Sequence, residues 1–307
     1  MLGLLRACHP EPTLAVTVLM SALALSAGRG VETVWVGLAI LAGQLAVGWS
    51  NDWVDRARDQ QTGRQDKPIA AGQVSPRTVA LAAGAAAAAC VLLSFVSGLW
   101  AGLAHLTGVA CAGAYNFGLK ATALSVFPYV VAFGLLPAFV TLGLPGAPFA
   151  PWWVVSAAAL MGAGAHFTNT LRDLDDDAAT GIRGLPHRMG ARASLLTAAF
   201  LLAGAVLVLA LGPPGPRGVG VIAGLALALL CVGGVVVAGL RGASRAGWRL
   251  TLLTAVVALA LLLARGASLA ESLGRTAGMR GLLEDPEVTE HPPQQHEHHD
   301  RAQAPAP

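Results

Sequence analysis

The sequence predicts an all-α integral membrane protein with nine transmembrane helices. Of its 307 residues, 55% are hydrophobic and only 12% are charged, whereas a soluble domain usually carries about 25% charged residues. The mean hydropathy is +0.62, and much of the apolar content is Ala, Leu, Val and Gly, which suits closely packed membrane helices. A net charge of +3 is too small to indicate a nucleic-acid partner. The four scattered cysteines form no CxxC pair and indicate neither a disulfide framework nor a zinc site.

Nine apolar segments are long enough to cross a bilayer, which takes roughly 20 residues. They cover residues 13–29, 33–51, 78–97, 99–116, 122–142, 151–169, 193–212, 217–239 and 249–265. The first is followed by further apolar segments, so it is predicted to be a transmembrane helix and not a cleavable signal. Pro128 and Pro137 lie inside the fifth segment and predict a kinked or broken helix.

The basic residues predict the orientation of these helices. With nine spans, 14 of the 20 Lys and Arg residues fall in one set of loops, and only Arg29 and Arg217 fall in the opposite set. Because basic loops remain in the cytoplasm, the sequence predicts a cell-membrane protein with a cytoplasmic N-terminus and a C-terminal tail outside. Residues 1–265 form the predicted membrane domain, and residues 266–307 form a predicted disordered tail rich in His and Pro.

The acidic residues of the membrane domain are concentrated at two points, close to the ends of the second and sixth predicted helices. The eight carboxylates are those of Asp52, Asp55, Asp59, Asp66, Asp173, Asp175, Asp176 and Asp177. Four predicted helices separate the two points. An even number of crossings places both acidic segments on the same face of the membrane, which is the predicted cytoplasmic face.

The two acidic segments are copies of one pattern. The first reads Asn51-x3-Asp55-x3-Asp59-x2-Thr62-Gly63-x4-Pro68-x3-Gly72, and the second repeats these seven residues from Asn169 to Gly190 without a gap. The repeat predicts two pseudo-repeats of four helices, at about 10–120 and 121–240, followed by a ninth helix. Duplicated halves of a membrane fold usually place a site at their interface, so we expect a central cavity there.

Clustered carboxylates need a partner, because like charges on one helix face repel and unpaired charges near a membrane are unfavourable. Solvated helix ends would explain one acidic motif, but two gap-free copies on one face favour a shared site. Carboxylate oxygens favour Mg²⁺, which completes its shell with water and substrate phosphates. Basic residues of the same loops that would bind a diphosphate are Arg64, Lys67, Lys120, Arg172 and Arg183. Arg56 and Arg58 are instead predicted to be membrane anchors.

The two motifs resemble those of a known family. Asn51-Asp52-x2-Asp55-x3-Asp59 is similar to the first aspartate motif of the UbiA superfamily of intramembrane prenyltransferases, and Arg172-Asp173-x3-Asp177 is similar to the second. The resemblance covers roughly residues 5–265. The continuation of the second motif looks most like the dihydroxynaphthoate and hydroxybenzoate polyprenyltransferases.

This resemblance implies roles for individual residues. The implied ligands that hold an isoprenyl diphosphate through Mg²⁺ are Asp52, Asp55, Asp59, Asp173 and Asp177. Implied diphosphate-binding or supporting residues are Asn51, its repeat counterpart Asn169, Arg64, Lys67, Tyr115 and Lys120. The segment from His9 to Thr13 departs from the family's usual Arg-Pro start, on the side where the acceptor is expected.

The implied reaction is Mg²⁺-dependent transfer of a prenyl group from an isoprenyl diphosphate to a small aromatic acceptor within the lipid bilayer. A base must remove a proton from the acceptor, and Asp66 and Asp176 are the favoured candidates. Asp175 points away from its neighbours on an ideal helix. Two alternatives are a terpene cyclase of the same fold, which uses no acceptor, and a cation- or proton-coupled transporter. Acids at helix ends on one face, away from the bilayer midplane, argue against the transporter.

Overall fold

The computed structural model describes residues 2–284, apart from the side chains of residues 175, 176, 267 and 277–284. This part of the chain is helical and contains no β-strand. Its helices are α1 (Leu2–Ala7), α2 (Pro10–Ser26), α3 (Thr33–Gln61), α4 (Pro76–Val96), α5 (Leu99–Asn116), α6 (Phe127–Leu142), α7 (Trp152–Ala179), α8 (Leu185–Met189), α9 (Ala191–Leu211), α10 (Val219–Leu240), α11 (Ser244–Ala264) and α12 (Gly266–Glu284).

The helices have the character expected of a multi-pass membrane protein. Within residues 2–284, five of them are long and apolar enough to cross a membrane, namely α3, α4, α9, α10 and α11. Helices α2 and α6 are apolar but shorter. Large apolar side chains such as Phe200 and Leu230 are more than 70% exposed on the outer surface, as lipid-facing residues are. The nine predicted segments coincide with α2–α7 and α9–α11, and that all nine cross the bilayer stays a prediction.

The two predicted halves of the chain repeat the same helix packing. In the first predicted half, α3 packs against both α2 and α4, and α4 continues onto α5. In the second half, α7 packs in the same way against α6 and α9, and α9 packs against α10. Helix α11 packs on α10 and α7 and also contacts α2. This arrangement brings the ends of α3 and α7, which carry the two acidic motifs, towards each other.

The repeated Thr-Gly pair ends both acidic helices in the same way. The amide of Gly63 donates to the Gln60 carbonyl, and the next amide, that of Arg64, donates to the Asp59 carbonyl at 3.0 Å. The second copy repeats both hydrogen bonds at Gly181 and the residue after it. This is the Schellman arrangement, in which a left-handed residue satisfies the last carbonyls of a helix. Gly63 has φ 66° and Gly181 has φ 82°, so glycine is required at both positions.

Two expectations from the sequence are corrected. Residues 266–284 form α12 and not a disordered tail, because Leu269 and Leu273, one turn apart, are buried against the core. The end of the tail, residues 285–307, lies outside the described residues. The fifth apolar segment becomes helical only at Phe127, with Pro128 in its first turn, where proline needs no amide hydrogen. Pro137 lies inside α6 as expected.

Replacement of the left-handed glycines should destabilise the protein. A β-carbon in the left-handed region is unfavourable by about 1–2 kcal/mol, so Gly63→Ala and Gly181→Ala should each lower the unfolding free energy by about 1 kcal/mol. Thermal unfolding in detergent would measure the difference. Gly84→Ala is the matched control, because Gly84 lies inside α4 with open space around its α-carbon. Equal melting temperatures for Gly63→Ala and Gly84→Ala would contradict the requirement.

Candidate active site at the ends of α3 and α7

A cavity of about 600 Å³ opens where α3 and α7 end. It is lined by residues of α2, α3, α5, α6, α7 and α11, so both predicted halves contribute to it. The structure brings nearly all of the predicted site residues to this cavity: Asn51, Asp52, Asp55, Asp59, Arg64, Asp66, Lys67, Tyr115, Lys120, Asn169, Arg172, Asp173 and Asp177. Arg183 is exposed and does not line it. The side chain of Asp176 lies outside the described residues.

The carboxylates of the first motif are buried, and two of them are paired with cations. Asp52 is only 1% exposed, and its Oδ1 accepts a hydrogen bond of 3.2 Å from the Lys67 ammonium. Asp55 forms an ion pair with Lys120 and a second one, at 2.8 Å, with Arg58. Burial lowers the pKa of Lys120, although the adjacent Asp55 opposes this effect. The first motif therefore carries its own counter-ions inside the cavity.

Arg64 connects the two motifs. Its guanidinium forms two hydrogen bonds with the Asp66 carboxylate, at 2.9 and 2.8 Å, and reaches Asp173 of the second motif at 3.1 Å. The bidentate contact lowers the pKa of Asp66 to about 2. A carboxylate with so low a pKa binds a proton weakly, so this environment argues against Asp66 as the base and favours a role in holding Arg64.

The second motif has fewer cationic partners in the described residues. Asp177 lies 3.6 Å from Nε2 of His187, a residue of the short helix α8. Burial lowers the pKa of His187, which favours its neutral form. Arg64, which comes from the first half, is the guanidinium that pairs with Asp173.

An amide network sits beside the first motif. Asn51 donates hydrogen bonds of 3.2 Å to Asp55 and to the side-chain oxygen of Asn116. Asn116 in turn donates to the Val47 carbonyl and the Ser50 hydroxyl, both at 2.9 Å. The end of α5 is thereby tied to α3 at the level of the carboxylates, and Asn51 is held in a fixed orientation.

Aromatic side chains form the wall next to the charged end of the cavity. Tyr115 and Tyr129 meet edge to face at 5.2 Å, and Tyr129 stacks on Phe133 at 6.1 Å. His166 is 4.9 Å from Tyr129 and hydrogen bonded to Ser125 at 3.0 Å. Ring faces carry negative electrostatic potential, so this wall can stabilise a cation and exclude water from it.

The N-terminal side of the cavity is formed by α2 and α11. His9 precedes α2 in the left-handed region, with φ 55°, and its Nε2 is 3.5 Å from the Lys67 ammonium. The pKa of His9 is lowered to about 3, first by the nearby Lys67 and then by burial. On α11, Trp248 is 7% exposed, and its indole N–H has no hydrogen-bond partner among the described residues. The Arg172 guanidinium lies 5.6 Å from the Trp248 ring.

Several cavity residues were not predicted from the sequence as part of the site. Arg58 was predicted to be an anchor, but its spacing of three residues from Asp55 on α3 allowed the observed pair. Arg56, its predicted companion, does stay outside the ion pairs and stacks on Trp53 at 4.4 Å. No sequence motif marks Asn116, Tyr129 or Trp248 as a site residue. They reach the cavity only through the packing of α5, α6 and α11.

The donor set suits a hard cation. Within residues 2–284, no three His, Cys, Asp or Glu side chains converge as a ready metal site, since the carboxylates face basic side chains. One oxygen is left over, because Oδ2 of Asp52 is buried and has no hydrogen-bond partner in the described part of the chain. A buried carboxylate oxygen without a donor is unfavourable unless a ligand satisfies it. The residues present therefore fit an oxygen-liganded divalent cation.

Comparisons with known proteins identify the family. The sequence model of the UbiA prenyltransferase family matches residues 14–256, and the chain belongs to this family. No curated protein sequence matches the chain significantly.

Solved structures share the fold. A UbiA homologue from Aeropyrum pernix K1, without ligand, has a TM-score of 0.68 at 20% identity, with 83% of this chain and 98% of that chain covered. A UbiA homologue from Archaeoglobus fulgidus bound to GPP and Mg²⁺ has a TM-score of 0.63 at 19% identity, with 88% and 99% covered. A digeranylgeranylglyceryl phosphate synthase has a TM-score of 0.60 at 13% identity, with 87% and 97% covered.

The pair of Asp52 and Lys67 should show the energetics of a buried ion pair. Lys67→Met leaves the Asp52 carboxylate buried without its cation and should lower the unfolding free energy by about 3 kcal/mol. The double variant Asp52→Asn/Lys67→Met should recover most of this loss, because no unpaired charge remains. Thermal unfolding in detergent measures both. Arg249→Met is the control, since its pair with Glu11 is exposed and should contribute well under 1 kcal/mol. Equal losses in the single and double variants would contradict a buried pair.

Proposed function

We propose that this protein is a Mg²⁺-dependent prenyltransferase that transfers a prenyl group from an isoprenyl diphosphate to a small aromatic acceptor. The observation that carries the proposal is the alternation of carboxylates and cations at the charged end of the cavity. Asp52, Asp55 and Asp173 each face a basic side chain across a hydrogen-bonding distance. Such a site can take up a metal ion and a diphosphate together, because carboxylates bind the one and cations bind the other.

The five motif carboxylates would hold the metal. They are Asp52, Asp55, Asp59, Asp173 and Asp177, and Oδ2 of Asp52 has no hydrogen-bond partner in the described part of the chain. When bound, Mg²⁺ supplies positive charge that stabilises the departing diphosphate. The relative from Archaeoglobus fulgidus, with GPP and Mg²⁺ bound in the same fold, supports this assignment.

The basic side chains would move from carboxylate to phosphate oxygens when substrate binds. Lys67, Lys120 and Arg58 already lie beside the motif carboxylates. Arg64 is held by Asp66 in a fork that matches phosphate geometry. Once they bind the phosphate oxygens, these cations are in place before the bond to the prenyl carbon breaks, and they would stabilise the charge that develops on the leaving group.

The aromatic wall would protect the allylic cation that remains. Tyr115, Tyr129 and Phe133 stand between the charged end and the apolar part of the cavity. Their ring faces stabilise positive charge, and their bulk keeps water from quenching it. Asp176 stays our proposed base, while Asp66 is proposed to position Arg64.

The acceptor is proposed to bind between α2, α7 and α11. Trp248 offers a buried indole with an unpartnered N–H, and Arg172 lies over its ring. An aromatic acceptor could pack on the indole and place a polar substituent near Arg172. The cytoplasmic location of this face, which is our proposal, rests on the excess of basic loops on that side.

Carboxylate substitutions would test the reaction. Purified protein in detergent is given isoprenyl diphosphates, with and without Mg²⁺ and a panel of aromatic acceptors, and released diphosphate and products are measured. We expect release that requires both Mg²⁺ and an acceptor. Asp55→Ala and Asp173→Ala should lower it by roughly 100-fold or more, because each removes charge stabilisation at the leaving group.

The control for this test is Arg192→Ala, an exposed residue at the start of α9, which should keep wild-type activity. Release without any acceptor, with a cyclic hydrocarbon as product, would replace the transferase by a cyclase. No release from any isoprenyl diphosphate would overturn both enzymes, and ion flux in vesicles would then test a transporter.

The acceptor site predicts a selective kinetic effect. Trp248→Ala should raise the KM for the acceptor about fivefold, because an aromatic contact contributes about 1 kcal/mol. The KM for the isoprenyl diphosphate should change little, since Trp248 is not among the residues that pair with the motif carboxylates. Trp248→Phe keeps a ring and should recover much of the affinity. An equal rise in both KM values would instead indicate a general distortion of the cavity.

A further inference from the structure

The cavity continues inward from the charged end along three helices. On α3 its deepest lining residue is Gln44, on α5 the lining ends at Ala104 and His105, and on α6 it ends at Leu136. Helix α7 lines only the upper part, down to Ala165, beside the ring of Tyr129. Since α3, α5 and α6 each continue beyond their last lining residue, the cavity has an inner end, or floor, between these three helices.

His105 is the aromatic side chain at this end of the cavity, and it is fixed in place. The residue is 4% exposed, and its Nδ1 is 2.8 Å from the Ser94 hydroxyl. Ser94 donates to the Cys90 carbonyl at 2.5 Å, which leaves its oxygen free to accept from the imidazole. The ring stacks on Phe139, fully buried, with the centroids 4.5 Å apart and the planes 18° from parallel. The imidazole therefore cannot swing aside without losing two contacts.

Helix α3 closes the remaining side of the floor. Gly43 has no side chain, and a β-carbon built on it would lie 3.3 Å from Nε2 of His105 and 3.3 Å from the Cys90 sulfur. The backbone of α3 thus packs directly on the imidazole. Together His105, Phe139 and the Gly43 backbone leave no continuation of the cavity along α5 in the described part of the chain.

The depth of the cavity is close to the length of a short prenyl chain. Along α3 the axial distance from Asp52 to Gly43 is about 13 Å, at ~1.5 Å per residue. An extended isoprene unit advances by about 5 Å, since it adds four carbon–carbon bonds of ~1.5 Å in a zigzag. The space between the carboxylates and the floor therefore matches two to three isoprene units.

We propose that His105, held by Ser94 and Phe139, is the floor of the prenyl pocket and limits the substrate to diphosphates of two to three isoprene units. This inference rests on the proposed function. A chain that continues along α5 past this depth would have to break the hydrogen bond to Ser94 and the stack on Phe139. The loss of these contacts weakens its binding relative to a chain that ends above the imidazole.

Chain-length profiles test the floor. Diphosphate release with saturating Mg²⁺ and acceptor is measured for C10, C15, C20 and C25 diphosphates, and kcat/KM is compared within each variant. Wild type should drop at least about tenfold between C15 and C20. His105→Ala removes the ring and should move this drop to a chain longer by one unit or more. Ala112→Phe, which adds a ring higher on the cavity wall of α5, should move it towards C10.

The control is Leu103→Ala, two residues from His105 on α5, where the side chain is 43% exposed on the outer surface and does not line the cavity. It should keep the wild-type profile. The floor is overturned if His105→Ala lowers all rates but keeps the wild-type profile, or if wild type uses C25 as well as C10. If wild type releases diphosphate from none of the four chains, the proposed function is contradicted. The role of His105, which rests on that function, is then contradicted as well.

Discussion

Burial of carboxylates at the ends of two long helices, α3 and α7, is the constraint on which the rest of this structure depends. Asp52, Asp55 and Asp59 are each less than 10% exposed, and a buried charge without a partner is strongly unfavourable. The fold meets this requirement by bringing the loop after α3 and the short segment after α5 over the carboxylates, with Lys67 and Lys120 as counter-ions. The charged end of the cavity follows from these ion pairs.

In both copies of the motif, the residues that end the helix also position charged groups. In both copies the last motif aspartate supplies the carbonyl that accepts the closing hydrogen bond of the helix, and the left-handed glycine turns the chain back. The residue after Gly63 is Arg64, which the turn directs towards Asp173. The helix stop and the placement of a cation are therefore consequences of the same three residues.

Much of the site could be predicted because the chain contains its acidic motif twice. The gap-free repeat gave both carboxylate clusters and their common face. Trp248 and His105 could not be found in this way, since each comes from a helix without a repeated motif and reaches the cavity only through packing. The sequence analysis also missed α12. This helix is buried through contacts of Leu269 and Leu273 with the core, and the composition of the segment does not indicate such contacts. Arg183 was predicted from charge alone, and its backbone geometry leaves it outside.

The repeat is symmetric in its carboxylates but not in its cations. At the positions that hold Arg64 and Lys67 in the first copy, the second copy has Ile182 and Leu185. Ile182 is 7% exposed, so at this position the second copy has a buried apolar side chain in place of a counter-ion. The first half must then provide the guanidinium for Asp173 as well as its own partners. An anionic ligand between the two motifs would meet most of its cations from the first half and carboxylates from both, with Arg172 as the cation of the second motif that lines the cavity. This asymmetry would place the phosphates nearer the first half and leave the side near Trp248 for a second molecule.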